Sequence, residues 1–147
     1  MTATIAAPTQ VKTSTQVKTP VRVVTATVRS LVGLLFTVTG ANGFLNFMPG
    51  DASGLPEGAL KFTVALFETG YMLPLVAGVQ LVAGILFLLN RFVPLALAVL
   101  APIVVGIFAF HVFLEPSGLV LAGAIAAAEV YLAWAHRDAF RGMLRAK

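Results

Sequence analysis

Glu129 stands in the run AIAAAEVYLAW (Ala124–Trp134), a carboxylic acid in a stretch otherwise fit for the middle of a lipid bilayer. An acid at the centre of a spanning helix costs about 2.5–3.5 kcal/mol on insertion scales, and more when it faces lipid. The side chain is therefore expected to face other helices and to stay neutral, because a low-dielectric surrounding disfavours the charged form. Gln80, in the apolar run MLPLVAGVQLVAGILFLL (Met72–Leu89), lies at a matching depth. At 1.5 Å per residue, both sit roughly 15 Å from the outer ends of their runs, which is the midplane of a core about 30 Å thick. A neutral acid and a carboxamide complement each other as donor and acceptor. Gln80 and Glu129 are thus the expected intramembrane polar pair. Two roles remain open for them: glue between helices, worth about 0.6 kcal/mol, or a proton relay.

A second polar layer is expected near the outer ends of the runs. Asn42 and Asn46 are one helical turn apart, and Glu68, Tyr71 and His111 reach a similar depth. A near-surface imidazole can shuttle protons or hold a carbonyl. With neighbouring amides and a phenol it would suit a quinone, which needs an apolar slot and one or two hydrogen-bonding groups. His111, Asn42, Asn46 and Tyr71 are accordingly the candidate quinone-binding residues. The plainer alternative is that the amides cap or hydrate and that His111 is an interfacial histidine with a solvated neighbour.

Other chemistries find no support. The chain has no cysteine, which removes disulfides, cysteine-ligated iron–sulfur clusters and thiolate zinc sites. Its two histidines, His111 and His136, are expected near opposite surfaces, so they cannot ligate one haem. One histidine with carboxylates on different runs has no metal-ligand spacing. Neither a nucleophile–base constellation nor a phosphate loop is present, so no catalytic residue is assigned.

The elements that must position these groups follow from composition. Of the 147 residues, 59% are hydrophobic and only 11% charged, whereas a soluble domain carries about 25% charged residues. With a mean hydropathy of +0.94, this is a membrane protein. Four apolar segments are expected to span, at about 23–48, 71–89, 92–114 and 119–135. Asn90-Arg91 and Glu115–Gly118 are links short enough to join antiparallel neighbours. The expected fold is all-α: an up-and-down antiparallel bundle of four transmembrane helices. Between the first two spans, PGDASGLPEG (Pro49–Gly58) breaks the chain and ALKFTVALF (Ala59–Phe67) reads as a short interfacial helix, because a lone strand there would have no partner. Residues 1–20, with TQVKT twice, read as a disordered tail before a single membrane domain at 21–147. Pro102 should bend the third span. Gly123-x-x-x-Ala127 and Ala122-x-x-x-Ala126 should let another helix approach the fourth.

Charge sets the expected orientation. Lys12, Lys18, Arg22 and Arg29 precede or open the first span, Arg91 lies in the second link, and Arg137, Arg141, Arg145 and Lys147 follow the fourth. Lys61 alone falls on the other side, with Asp51, Glu57, Glu68 and Glu115. The positive-inside rule then places both termini in the cytoplasm. The basic residues flank spans instead of covering a folded face, so nucleic acid is not the partner despite the net charge of +4. RDAFRGMLRAK (Arg137–Lys147) reads as an interfacial extension on anionic lipid.

The run RSLVGLLFTVTG (Arg29–Gly40) opening the first of four spans resembles the DoxX family of small bacterial membrane proteins. The likeness continues through GYMLPLVAGVQLVAGILFLL, RFVPLALAVLAPIV, FHVFLEPSG and AEVYLAWAHRDAF, nearly everything after the tail. The resemblance implies a glutamate at the position of Gln80 and a lysine after the glycine matching Gly40. This chain has Gln80, and Asn42 and Gly43 where the lysine would fall, so neither charge is present. It also implies residence in the bacterial cytoplasmic membrane and a non-catalytic or quinone-associated subunit role. Some relatives belong to quinone-linked systems such as thiosulfate:quinone oxidoreductase, and others to oxidative-stress partnerships. The competing expectation is a scaffold or assembly protein without cofactor, whose partners are membrane proteins or further copies of itself.

Overall fold

Prolines mark where the helices begin. In the computed structural model, which describes residues 19–48, 50 and 54–141, Pro20 is the second residue of α1 (Thr19–Leu45), and Pro94 the second of α4 (Val93–Phe113). Pro56 immediately precedes α2 (Glu57–Glu68), and Pro74 is the third residue of α3 (Met72–Leu88). Pro116 opens a single 3-10 turn, Pro116–Gly118, that leads into α5 (Leu119–Ala135). A first-turn N–H has no intrahelical acceptor, so proline there loses nothing. A short α6 (Arg137–Arg141) follows. No strand occurs among the described residues, and the protein is an all-α helical bundle.

Three of these elements are long and apolar enough to cross a membrane alone: α1, α4, and α5 with its 3-10 turn. α3 has 17 residues and reaches that length only together with α2, from which it is bent by 90°. Two boundaries differ from expectation. α1 starts at Thr19 and takes in Thr19 and Pro20, which the reading of the sequence gave to the tail; the rest of that tail, 1–18, lies outside the described residues, as do Asp51, Arg145 and Lys147. The same helix stops at Leu45, not 48, because Asn46 adopts a left-handed backbone (φ 49°) and its N–H closes on the Asn42 carbonyl at 2.9 Å. Asparagine tolerates that conformation and is a common helix terminator.

The bundle is a ring in which α1 packs on α3, α3 on α4, α4 on α5, and α5 back on α1. Its apolar centre holds Phe36, Phe87, Leu97, Leu100 and Leu132, all fully buried. The α1–α3 seam is the closest approach. A Cβ on Gly33 would press on Phe87, one on Gly84 on Thr37, and one on Gly40 on the backbone of Leu81. Without a hydrophobic drive between helices in lipid, such backbone-to-backbone contact is what holds a pair together.

α4 runs unbroken through Pro102. The tight turn into it takes two left-handed residues, Asn90 (φ 53°) and Phe92 (φ 52°). Arg29 of α1 donates to the Asn90 side chain, tying α1 to this turn, and Thr25 shares a 2.9 Å hydrogen bond with the Tyr131 hydroxyl of α5. These contacts gather Arg22, Arg29, Arg91, Arg137 and Arg141 at one end of the bundle. Glu57, Lys61, Glu68 and Glu115 lie at the other.

Candidate functional site

α2 turns away from α3 at Thr69 and Gly70. The Thr69 hydroxyl donates to the Leu66 carbonyl (2.6 Å) and accepts from the Met72 N–H (3.1 Å), while Gly70 takes φ 74°. This corner lays α2 across the ends of α3 and α4. Beneath it is a cavity of about 640 Å³, lined by Phe62 and Leu66 of α2, residues of α3 from Met72 to Val79, and α4 from Val99 to His111. Pro102 and Gly106 form part of the α4 wall. His111 is the one ionisable side chain in the lining.

His111 is held firmly. Its Nδ1 lies 2.9 Å from the Glu115 carbonyl and 2.9 Å from Glu115 Oε2. Both are acceptors, so Nδ1 carries the proton, and Nε2 has no hydrogen-bond partner among the described residues. Glu115 in turn accepts from the Ser117 N–H and the Gly118 N–H, each at 3.2 Å, and from the Ser117 hydroxyl. It therefore caps the 3-10 turn that starts α5. Gly118 passes so close that a Cβ there would clash with the imidazole ring at its Cε1. On its other side the ring meets Phe110 edge-on at 5.3 Å, and Phe110 packs on Phe62 at 5.7 Å.

The rest of the expected outer cluster is distributed elsewhere. Asn42 donates to the Met48 carbonyl (3.2 Å) and accepts from the Met48 N–H (2.6 Å), so its amide folds the chain back after α1. Asn46 provides the left-handed stop, and both it and Tyr71, which precedes α3, are exposed. None of these three, nor Glu68, lines the cavity. The four-residue pocket expected from Asn42, Asn46, Tyr71 and His111 is thus not assembled: a shared depth along the chain did not mean a shared face.

The midplane pair also needs correction. Glu129 is buried, 9% exposed, but its Oε1 has no hydrogen-bond partner among the described residues. Gln80 is half-buried and makes no hydrogen bond to it. The reason is topological: α3 packs on α1 and α4, α5 packs on α4 and α1, and the two helices are diagonal across the ring.

No family model, no curated protein and no solved structure matches this chain. Its function must therefore be argued from the geometry.

Residues to which the sequence assigned no contact prove structural. Thr25, Tyr131, Arg29 and Asn90 make the cross-bundle hydrogen bonds. His136 donates from Nδ1 to the Leu132 carbonyl at 2.8 Å, and Arg137 lies over the Trp134 ring at 4.9 Å, finishing α5. The available signal was Gly33 and Gly40, a heptad apart, opposite Ala77 and Gly84 at the same spacing. By contrast, Gly123 and Ala127 of α5 are only half-buried and exposed, respectively, whereas Ala122 is buried.

Proposed function

We propose that this chain is a DoxX-type integral protein of the bacterial cytoplasmic membrane, with both termini in the cytoplasm, and that it holds a quinone in the cavity beneath α2 as a non-catalytic subunit of a redox system. The observation that carries the reading is a single imidazole in an otherwise largely apolar slot between α2, α3 and α4. A cavity of about 640 Å³ is in the size range of small-molecule and cofactor sites. His111 would supply the hydrogen bond, and Phe62 and Phe110 the aromatic walls. With Nδ1 turned to Glu115, Nε2 is the ring nitrogen left for the head group, where it can accept from the hydroxyl of the reduced form. A bound quinone would supply paired electron and proton exchange. The chain's own part is to orient the head group, exclude water and offer a proton acceptor at Nε2.

The test compares His111→Ala with wild type in the same purified preparation, measuring retained quinone and thermal stability. The expected result is loss of most of the quinone with folded protein preserved in the membrane. Unchanged quinone content in a folded variant removes His111 from the site and this reading with it.

A second reading, a membrane scaffold without cofactor, is favoured by one observation: the Gly123/Ala127 face of α5 is only partly covered by the described residues. Under that reading His111→Ala lowers the melting temperature, or loses a co-purifying membrane partner, while no quinone is found in wild type.

A further inference from the structure

On the far side of α4 from the α2 cavity lies a groove of about 330 Å³ between α4 and α5, with Phe140 of α6 at one end. Its rim residues Ala98, Val105 and Val130 are exposed, so it opens on the outside of the bundle. Every residue that lines it is apolar except Glu129. Within the protein Oε1 of the Glu129 carboxyl is buried and unpartnered among the described residues, and the residue as a whole is 9% exposed. Leaving a buried polar atom unpaired costs about 1–3 kcal/mol, and folded proteins rarely leave such an atom unsatisfied without a function for it.

Nothing around the groove answers the acid. On α4 the one ionisable residue is His111, held by Glu115 at the far end. On α5 the Tyr131 hydroxyl is bonded to Thr25. From α1, Arg29 is bonded to Asn90 through Nη1, its Nε is buried and makes no hydrogen bond to Glu129 or to any other described residue, and Arg22 is exposed. From α6, Arg141 pairs with Asp138 and Arg137 covers Trp134. None of these lines the groove. A small hydrated cation does not suit it either, since such ions need several oxygen ligands, and the described residues contain no metal-ligating cluster.

We propose that the α4–α5 groove binds a lipophilic organic cation, an apolar or aromatic body carrying one quaternary or delocalised positive charge. The carboxyl supplies the single counter-charge, the faces of Phe108 and Phe140 supply cation–π attraction, and the alanine and valine walls accept the apolar body. At a pH where Glu129 is protonated, the acid gives its proton to water and the carboxylate pairs with the cation. One proton then leaves for each cation that enters, so protons compete with the ligand for Glu129.

Tetraphenylphosphonium is the probe, with tetraphenylborate as an anion of matched size and shape, added to the purified full chain in detergent. Equilibrium dialysis should show the phosphonium bound and the borate excluded. At a pH where the free acid is protonated, weakly buffered solution should acidify by one proton per cation, and affinity should fall about tenfold per pH unit on lowering the pH further. Glu129→Gln should weaken the cation roughly thirtyfold or more. Ala101→Phe, which fills the groove and keeps the acid, should also abolish binding, and it decides the matter if the glutamine variant does not fold. Equal uptake of both ions, or undiminished cation binding by folded Glu129→Gln or Ala101→Phe, overturns the proposal in favour of simple partition into apolar surface. So does disulfide formation between copies carrying Val130→Cys, in a chain with no other cysteine, if the phosphonium leaves it unchanged: the groove is then covered by a second copy.

Discussion

At Glu115 the donors converge on one half-buried carboxylate. The Ser117 hydroxyl does most to hold its pKa below the usual carboxylate value; desolvation opposes this, and the Gly118 N–H, His111 and the Ser117 N–H add to the lowering. A carboxyl whose folded-state pKa is depressed contributes stability that is fully present above its unfolded value of 4.5 and is lost as pH falls through the lowered folded value. Glu115→Gln keeps an acceptor but cannot titrate. Melting temperatures of the two proteins, measured from about pH 7 down to about pH 3, should therefore converge on the acid side. Parallel curves would mean that the cap carries no pH-dependent stability. The same residue fixes the tautomer of His111, so the cap of α5 and the polar group of the cavity are one structure.

Among the elements, the α1–α3 pair depends most on residue size. A Cβ at Gly40 would lie 2.7 Å from the Leu81 Cα and 2.8 Å from the Ala77 carbonyl oxygen. Those are backbone atoms and cannot swing aside, so one helix must move. Gly40→Ala should destabilise the protein by about 1–3 kcal/mol. Gly106→Ala on α4 is the control: nothing lies within 4 Å of its Cβ, and alanine is the better helix former by about 1 kcal/mol. Thermal melts in detergent should show the first variant falling and the second unchanged or raised. Equal losses would show that the close approach at Gly40 is not what sets its sensitivity. α2 is held differently, by its capped corner at Thr69 and Gly70 and by Phe62 on Phe110, while Leu60, Phe62, Val64 and Phe67 remain exposed. An exposed apolar helix set at 90° to a span is suited to the membrane interface.

For the whole molecule, the separation of charge is the property a membrane reads. Arg22, Arg29, Arg91, Arg137 and Arg141 share one end with both described termini of the bundle, and Lys61, the lone described cation opposite, is paired with Glu57. The expected topology has that arginine-rich end in the cytoplasm. A reporter active only outside the cytoplasm should work when fused after Gly54 and stay silent after Lys147. Activity at Lys147 would invert the bundle, placing the cavity beneath α2 at the cytoplasmic face. The two concavities, beneath α2 and between α4 and α5, are separated by α4 itself, so their ligands can be tested independently.

Helical character, the number of long apolar helices and the membrane setting are local properties, and they could be read without coordinates, although the start of α1 at Thr19 was not. Long apolar runs can satisfy their backbone in lipid only as helices, Pro20, Pro56, Pro74, Pro94 and Pro116 mark entries, and the arginines sort by end. The partners of each side chain could not be read that way. Four helices that are apolar around most of their circumference carry little amphipathic record of which face turns inward, because lipid accepts the outward face just as well. Depth alone therefore paired Gln80 with Glu129, and only the order of helices around the ring, with α3 diagonal to α5, shows them apart. Depth likewise grouped Asn42 and Asn46 with His111, whereas the end of α1 uses both asparagines to stop and turn the chain. The small residues of α5 looked like the packing face, yet Gly33, Gly40 and Gly84 make the close seam. Spacing along one helix says where a close contact is possible, and only the second helix, brought up by the tertiary fold, decides where it is made.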